Sequence, residues 1–137
     1  VFASSCQAVL GGKREGTVHV DEPHRPVTLY GATKALGEVM GRYYHDKHGI
    51  EFVAIRIGWF QPYDHPILRE KRFARRIWLS PRDAVKLFRS AVEKPGVGYA
   101  VVHGTSITED EVLGLNEARE RLGYEPEDDV RSIPVQT

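Results

Sequence analysis

The sequence predicts an α/β protein built around a parallel sheet, because strand-like and helix-like segments alternate along its 137 residues. Residues 52–55 read Phe-Val-Ala-Ile, an unbroken apolar run that is typical of a strand covered on both faces. Residues 80–83 read Ser-Pro-Arg-Asp, which is a strong signal for the start of a helix. These two segments fix the class, and the remaining elements follow from them.

The elements are predicted in chain order from apolar periodicity and turn residues. They are the end of a strand over Val1–Ala3, a long polar loop to Val27, a helix from about Leu29 to His48, a strand over Glu51–Gly58, an irregular stretch over 59–77, a helix from Pro81, a strand over Tyr99–His103 and a last helix near Asn116–Leu122.

The first predicted helix depends on apolar residues that recur at helical spacing, with Gly49 as a plausible stop; they are Ala32, Leu36, Val39, Met40 and Tyr43. In the second, Ser80 is the expected N-cap, Pro81 takes the first helical position and Asp83 completes a pair that resembles a capping box. Its expected buried face consists of Ala84, Leu87, Phe88, Ala91 and Val92.

Composition excludes several classes of protein. The chain is 41% hydrophobic and 28% charged with a formal net charge of zero, so no bulk charge favours nucleic acid or an acidic membrane. Its single cysteine, Cys6, excludes an internal disulfide framework and points to the cytoplasm. The histidines lack metal-ligand spacing, and we predict no metal and no membrane span. Because residues 1–5 resemble the second half of a buried strand, we expect the chain to be a fragment whose upstream part is missing.

A candidate for acid/base chemistry lies at the start of the first helix, where Tyr30 and Lys34 are four residues apart. This spacing places both side chains on one helix face. A free phenol has a pKa near 10 and is a poor base at neutral pH, but a nearby cation favours its ionised form. The pair therefore suits a general acid/base, although an amphipathic helix with a surface lysine would have the same pattern.

Context supports the catalytic interpretation. Ser5 ends the first apolar strand, 25 residues before Tyr30. The carboxyl ends of parallel strands form the edge at which α/β proteins hold ligands. Ser5 could orient a substrate oxygen toward Tyr30 there, and Lys34 could reach the ribose of a nucleotide.

Together these segments resemble the extended short-chain dehydrogenases, or NAD-dependent epimerase/dehydratase family, and within it most closely the uronate dehydrogenases. The resemblance covers nearly the whole chain in the correct order. The segments that carry it are residues 2–5, 30–34, 37–38, 56–58, 78–83 and 122–126.

The resemblance implies the C-terminal half of a doubly wound, Rossmann-type fold with a small substrate-binding part. Residues 1–58 would complete the dinucleotide-binding domain with the catalytic helix, and 59–137 would form the substrate-binding part plus the last sheet strand, about 98–106. It also implies a homodimer through the outward face of the catalytic helix, including Glu38, Arg42 and His45.

For the site, the resemblance implies hydride transfer between a sugar and NAD or NADP, with Ser5, Tyr30 and Lys34 as the catalytic triad. Ile57 and Gly58 would join Tyr30 and Lys34 at the cofactor. The glycine-rich turn that grips the pyrophosphate is absent from residues 1–137, since Gly11-Gly12 lacks the strand-turn-helix setting.

Departures from the family concern the substrate. Cys6-Gln7 follows Ser5 and Trp59 follows Gly58, where uronate dehydrogenases tend to have Asn and a small hydroxyl residue, so a plain uronic acid is doubtful. We predict substrate contacts from Ser5, Cys6, Gln7, Trp59, Arg72 and Arg75. Cys6 could instead be a small packing residue.

Arginines and lysines are concentrated in residues 69–76. They could form a solvated surface, or a clamp in which Arg72 or Arg75 grips a substrate anion. A nucleic-acid patch is least favoured, since no aromatic platform is interleaved with the charges.

Three functions stay open: an NAD(P)-dependent sugar or sugar-acid dehydrogenase, a nucleotide-sugar epimerase or dehydratase that keeps its NAD bound, and a non-catalytic truncated or dinucleotide-sensing module. The short C-terminal part leaves little room for a nucleotide and favours the dehydrogenase.

Overall fold

The computed structural model describes residues 1–11, 15–70 and 73–136, and it contains a three-stranded parallel sheet. The strands are β1 (Phe2–Ser5), β2 (Phe52–Ile57) and β5 (Tyr99–Gly104), in the order β1-β2-β5. A separate two-stranded parallel sheet pairs β3 (Trp59–Phe60) with β4 (Trp78–Leu79). The predicted α/β class with a parallel sheet is confirmed.

The helices are α1 (Leu29–His48), α2 (Phe73–Arg76), α3 (Pro81–Glu93) and α4 (Asn116–Leu122). The long helix α1 has the predicted bounds: Thr28 caps its first turn, and Gly49 ends it with a positive φ of 68°, a conformation that favours glycine. None of the described helices is long and apolar enough to cross a membrane.

Small residues let α1 lie close to the sheet. Its buried positions are Gly31, Ala35, Glu38 and Gly41, whereas the apolar residues that predicted the helix are largely exposed. Leu36, for example, is 59% exposed. The spacing thus identified the helix correctly, but the larger apolar side chains point away from the sheet.

A row of stacked aromatic rings crosses the sheet beneath α1, one ring from each strand. Phe2 stacks on Phe52 with ring centroids 6.0 Å apart, and Phe52 stacks on Tyr99 at 5.9 Å. Gly37 and Gly41 lie above the first two rings, where an added Cβ would come within 2.3 Å of Phe2 and 2.2 Å of Phe52. Glycine at both positions therefore sets the distance between helix and sheet.

A buried ionic cluster also joins α1 to the sheet. The Glu38 carboxylate is 2.8 Å from Nη2 of Arg56 and accepts a hydrogen bond from Ser4 Oγ at 2.5 Å. His24 Nε2 lies 2.7 Å from the same carboxylate. Glu38 is only 1% exposed, so the expectation that it belongs to the outward face of α1 is wrong. It faces the sheet because its hydrogen-bonding partners are there.

His103 lies next to this cluster, in register with Arg56 on the neighbouring strand. It is fully buried, and its Nδ1 is 3.2 Å from the carbonyl oxygen of Gly114. Burial, assisted by the Arg56 charge, lowers the pKa of His103 to about 4. The imidazole is therefore neutral at physiological pH and adds no second positive charge beside Arg56.

Helix α3 covers the opposite sheet face, which presents the alternate residues of each strand. Leu87 and Ala91 of α3 pack with Ile55 and Val102 in the main hydrophobic core. Val92 was expected on the same buried face, but it is 71% exposed because the helix turns it toward solvent.

The N-terminus of α3 holds the C-terminal segment in place. Ser80 Oγ accepts a hydrogen bond from the backbone N–H of Asp83, as an N-cap should. The Asp83 carboxylate does not reach back to Ser80 as a capping box requires. It accepts hydrogen bonds from Ser106 Oγ and from the backbone N–H groups of Glu127 and Asp128.

Candidate active site

Ser5 lies at the carboxyl end of β1, where the chain turns into a short 3₁₀ helix over Cys6–Ala8. Its Oγ accepts a hydrogen bond from the backbone N–H of Gln7 and so caps this turn. The next strand ends at the same edge, since Ser5 and Ile57 are register partners. Two of the predicted site segments therefore meet at one edge of the sheet.

The start of α1 is fixed to this turn by two contacts. Thr28 Oγ1 donates to Gln7 Oε1 at 2.8 Å and also accepts from the Gly31 N–H. A Cβ at Gly31 would lie 2.4 Å from the Gln7 carbonyl oxygen, so only glycine allows this approach. The helix that carries Tyr30 is thus held directly against the turn that follows Ser5.

Tyr30 and Lys34 form a contacting pair on this helix. Lys34 Nζ is 5.3 Å from the centroid of the Tyr30 ring and donates a hydrogen bond to the Ala3 carbonyl oxygen at 2.8 Å. Tyr30 itself is 51% exposed. An ammonium has three N–H donors, and a described residue occupies one of them here. The remaining donors and the phenol are accessible to a ligand.

A second pair with the same spacing occurs further along α1 and was missed at the sequence level. Lys47 Nζ donates to the Tyr43 hydroxyl at 2.8 Å and lies 5.3 Å from that ring's centroid. This pair is near the C-terminus of the helix, away from the turn after β1. Spacing alone could not distinguish the two pairs, whereas their positions relative to the sheet do.

Gly58 marks the exit from the large sheet into the small one. Its N–H donates to the Gly104 carbonyl at 2.9 Å, and an added Cβ would lie 2.0 Å from the Ile77 carbonyl oxygen. No larger residue fits between these two backbones. The crossing places Ile57 and Gly58 beside the carboxyl edge where Ser5 lies.

An apolar cleft of about 340 Å³ opens beside Ile57. Its other lining residues come from the small sheet and α3: Phe60, Leu79, Pro81, Ala84, Val85 and Phe88. Trp59 is in the same short strand as Phe60, and its ring meets His65 edge to face at 5.0 Å. The indole is partly exposed and does not line the cleft; it packs against the hydrophobic cluster that includes Leu68 and Trp78.

Arg75 does not match the expected substrate clamp. Its side chain is 2% exposed and donates to the carbonyl oxygens of Leu68, Val130 and Ile133. The remaining Nε bonds Glu109 at 2.7 Å. A guanidinium engaged in this way ties the C-terminal segment to the rest of the chain and has no free edge for an anion. Arg72, the other candidate, lies outside the described residues.

Cys6 was predicted to contact the substrate, but its side chain packs in the core beside Ala8, Val9 and Ala35. Burial raises the pKa of the Cys6 thiol to about 11. The thiol is therefore protonated and inert at neutral pH, in agreement with the packing alternative. Within the described ranges, no three His, Cys, Asp or Glu side chains are grouped so that they could hold a metal ion.

The structure thus brings Ser5, Gln7, Tyr30 and Lys34 together around the end of β1, with Ile57 and Gly58 on the adjacent strand. Arg75 lies apart from them, and Cys6, although adjacent to Ser5, has its side chain buried in the core. Sequence reasoning missed Thr28, although a threonine at the start of a helix is a recognisable N-cap signal. It also missed Phe2, because nothing in the sequence indicates its contact with Lys34.

Comparison with known proteins agrees with this fold. Residues 1–63 match the NAD dependent epimerase/dehydratase family. This part of the chain belongs to the family. It is 38% identical to the L-arabinose 1-dehydrogenase (NAD(P)(+)) of Haloferax volcanii over 126 residues, covering 85% of this chain and 48% of that protein.

The uronate dehydrogenases are similar in both sequence and structure. The enzyme of Pseudomonas syringae pv. tomato is 36% identical over 128 residues, covering 93% of this chain and 44% of that protein. A solved structure of a mutated uronate dehydrogenase has a TM-score of 0.83 and 29% identity, covering 96% of this chain and 46% of the other. The chain spans about half the length of the curated relatives it matches.

Proposed function

We propose that this chain supplies the catalytic half of an NAD(P)-dependent oxidoreductase that oxidises a sugar or sugar acid. The observation that supports the proposal most strongly is the convergence at the end of β1, where Lys34 contacts both the Tyr30 ring and the Ala3 carbonyl oxygen. An exposed phenol next to an ammonium, at the ligand-binding edge of a parallel sheet, suits proton transfer to or from a sugar hydroxyl.

Each member of the triad has a distinct role in this proposal. Tyr30 accepts the proton of the sugar hydroxyl as that carbon is oxidised. Before this transfer Tyr30 is a phenolate, and Lys34 stabilises the negative charge on its oxygen. Ser5 Oγ donates a hydrogen bond to the substrate oxygen, which requires its own hydrogen to point away from the cap it accepts from Gln7 N–H.

The described residues fit a nicotinamide dinucleotide on one side. Lys34 has N–H donors left for ribose hydroxyls, and Tyr30 is exposed next to them. Ile57 and Gly58 form a wall at the adjacent strand end. When bound, NAD(P)⁺ supplies the acceptor for the hydride that leaves the sugar carbon.

The substrate is proposed to be a free sugar rather than a nucleotide sugar. Relatives named for L-arabinose and for uronate support this class. The Trp59 indole packs against a hydrophobic cluster, and Arg75 is engaged by backbone carbonyls, so neither offers a site for a diphosphate.

A domain-exchange experiment tests the proposal. This chain replaces the matching half of the Pseudomonas syringae uronate dehydrogenase, and NADH formation is followed with L-arabinose and with glucuronate. Steady release of NADH with either sugar is the expected result. A chimera that binds NAD⁺ but releases no NADH, and instead interconverts nucleotide sugars, would favour the epimerase alternative.

Calorimetric titration of NAD⁺ and NADP⁺ into the chain alone complements this assay. We expect no detectable binding, since the glycine-rich turn for the pyrophosphate is absent from residues 1–137. Micromolar binding would contradict the idea that the chain holds only the catalytic half of the site.

We also propose that α1 mediates homodimer formation. Its outer face exposes Leu36, Val39, Met40 and Tyr43, which form a stripe at i, i+3, i+4 and i+7. Of the residues predicted for the interface, Arg42 is 58% exposed, whereas His45 faces Ile50 and Tyr99 and Glu38 is buried, so neither of these two belongs to the stripe. Exposed apolar stripes of this kind are characteristic of protein interaction surfaces.

Substitution of this stripe tests the dimer. Leu36→Glu together with Met40→Glu should convert a dimer to a monomer, measured by sedimentation equilibrium, since each charge would be buried without a partner. Val92→Glu is a matched control, because Val92 is 71% exposed on α3. A native chain that sediments as a monomer up to high concentration would contradict this proposal.

A further inference from the structure

We propose that Phe2 is a positioning residue for Lys34, holding the lysine side chain in the pose that the proposed catalysis requires. This inference rests on the proposed function for its purpose, but its geometric content can be measured without catalysis. The Phe2 ring centroid lies 5.4 Å from Lys34 Nζ, and the Tyr30 ring centroid lies 5.3 Å from the same atom. The ammonium therefore contacts two aromatic rings, one from the strand and one from its own helix.

Lys34 needs external support because its side chain is long and flexible. A lysine stem carries a large rotamer entropy, and an ammonium beside solvent has many competing poses. The hydrogen bond to the Ala3 carbonyl fixes one N–H direction. The Phe2 ring supplies a second restraint through a cation–π contact, which draws Nζ toward the strand.

The Phe2 ring is itself immobilised from two sides. Phe52 stacks against it within the sheet at 6.0 Å between centroids. Gly37 lies above it, so close that an added Cβ would be 2.3 Å from Phe2 Cζ. These contacts fix the position of α1 relative to β1 and the Phe2 ring. Because Lys34 lies one turn before Gly37 on the same helix, its position relative to the ring is fixed as well.

The second tyrosine–lysine pair shows what is special about Lys34. Lys47 Nζ bonds the Tyr43 hydroxyl and lies over that ring, so both of its described contacts are on its own helix. Lys34 instead has contacts from β1 as well. Lys47, whose described contacts are all on its own helix, therefore serves as an internal reference for Lys34, which also contacts the sheet.

The variants form two matched pairs. Phe2→Leu removes the ring that contacts Lys34, and Phe52→Leu removes the next ring of the same stack without touching Lys34. Gly37→Ala keeps Phe2 but displaces its ring. Gly41→Ala does the same to Phe52, whose atoms lie 2.2 Å from the added Cβ. In both alanine variants the nearest atoms to the added Cβ belong to a side-chain ring that can shift, and the higher helix propensity of alanine offsets part of that cost; circular dichroism checks that all four variants fold.

The direct measurement is the acylation rate of each lysine in the chain as it stands, by limited modification and mass spectrometry. We expect Phe2→Leu and Gly37→Ala to raise the Lys34 rate about fivefold, in line with the energy of an exposed cation–π contact. The Lys47 rate should not change. Phe52→Leu and Gly41→Ala keep the Phe2 ring beneath Gly37 and in contact with Lys34, so the Lys34 rate should rise less, by no more than about twofold. Equal effects of both pairs on Lys34 would overturn the proposal, since they would indicate general loosening.

The domain-exchange enzyme gives a second readout. There, Phe2→Leu should lower kcat with little change in KM for the sugar, because a misplaced ammonium no longer favours the phenolate form of Tyr30 that accepts the proton. Phe52→Leu should leave kcat near the native value. An equal fall in kcat for both variants would overturn the positioning role. An inactive native chimera with a selective change in Lys34 acylation would support the positioning and contradict the proposed function, so the two can fail separately.

Discussion

Replacing Tyr30 by phenylalanine is expected to lower kcat/KM for sugar oxidation by about 10²-fold to 10⁴-fold, the usual contribution of a general acid/base. The variant loses only the hydroxyl, and the ring that contacts Lys34 remains. Binding of NAD⁺ should therefore change little. Steady-state kinetics of the domain-exchange enzyme, together with NAD⁺ titration, measure both quantities.

Tyr43→Phe is the matched control for this experiment. It removes a hydroxyl that lies 2.8 Å from a lysine in an identically spaced pair on the same helix. Because this pair lies away from the end of β1, the rate should stay at the native level. A Tyr30→Phe enzyme with an unaltered rate would remove Tyr30 from the mechanism, and a large loss in Tyr43→Phe would move the assignment to the second pair.

Replacing Glu38 by glutamine is expected to lower the free energy of unfolding by about 3–5 kcal/mol, the range seen when one partner of a buried ion pair is removed. The amide has nearly the same shape, but it leaves the charge of Arg56, whose side chain is 3% exposed, without its counter-ion. Urea unfolding at pH 7 measures the effect. The control Asp46→Asn breaks an exposed pair with Arg42 and should cost less than about 0.5 kcal/mol.

The same cluster predicts how stability depends on pH. Burial alone would raise the pKa of Glu38, but hydrogen bonds from Arg56, Ser4 and His24 outweigh it and hold the pKa below its ordinary value of 4.5. The folded state therefore binds this proton more weakly than the unfolded state does. The stabilisation is complete above pH 4.5 and is lost as the pH falls through the lowered pKa. In Glu38→Gln this acid-induced loss should be smaller, and an unchanged pH profile would contradict the assignment.

Much of the fold could be predicted because local signals agree with tertiary structure. Thr28 and Gly49 bound α1, and Ser80 with Pro81 begins α3, all through interactions within a few residues. The orientation of α1 could not be predicted in the same way. Its buried face consists of glycines, alanine and a glutamate, which periodicity counts as polar or neutral, while its leucine and methionine face outward. Which face is buried depends on the rings and charges of distant strands.

The candidate site residues, too, could be predicted only where the signal is local. Tyr30, Lys34 and Ser5 could be proposed because the spacing of the first two and the end of a strand at Ser5 can be read directly from the sequence. The roles of Arg75 and Cys6 depend on burial, which the sequence could not reveal for an arginine in a basic stretch or a cysteine beside a serine. Contacts such as Thr28 with Gln7 and Phe2 with Lys34 join residues 21 and 32 positions apart, so only the folded chain brings them together.

Asp83 grips the C-terminal segment through the backbone N–H groups of residues 127 and 128, not through their side chains. Every amino acid except proline offers that donor. At position 127, whose side chain makes only exposed ion pairs with Arg82 and Lys86, the segment should thus remain docked after substitution, as long as Asp83 stays an acid. A selection for folded variants from a library randomised at position 127 should recover nearly every residue type except proline. The side chain at position 127 is consequently free to diversify, while the path of the segment along the protein is preserved.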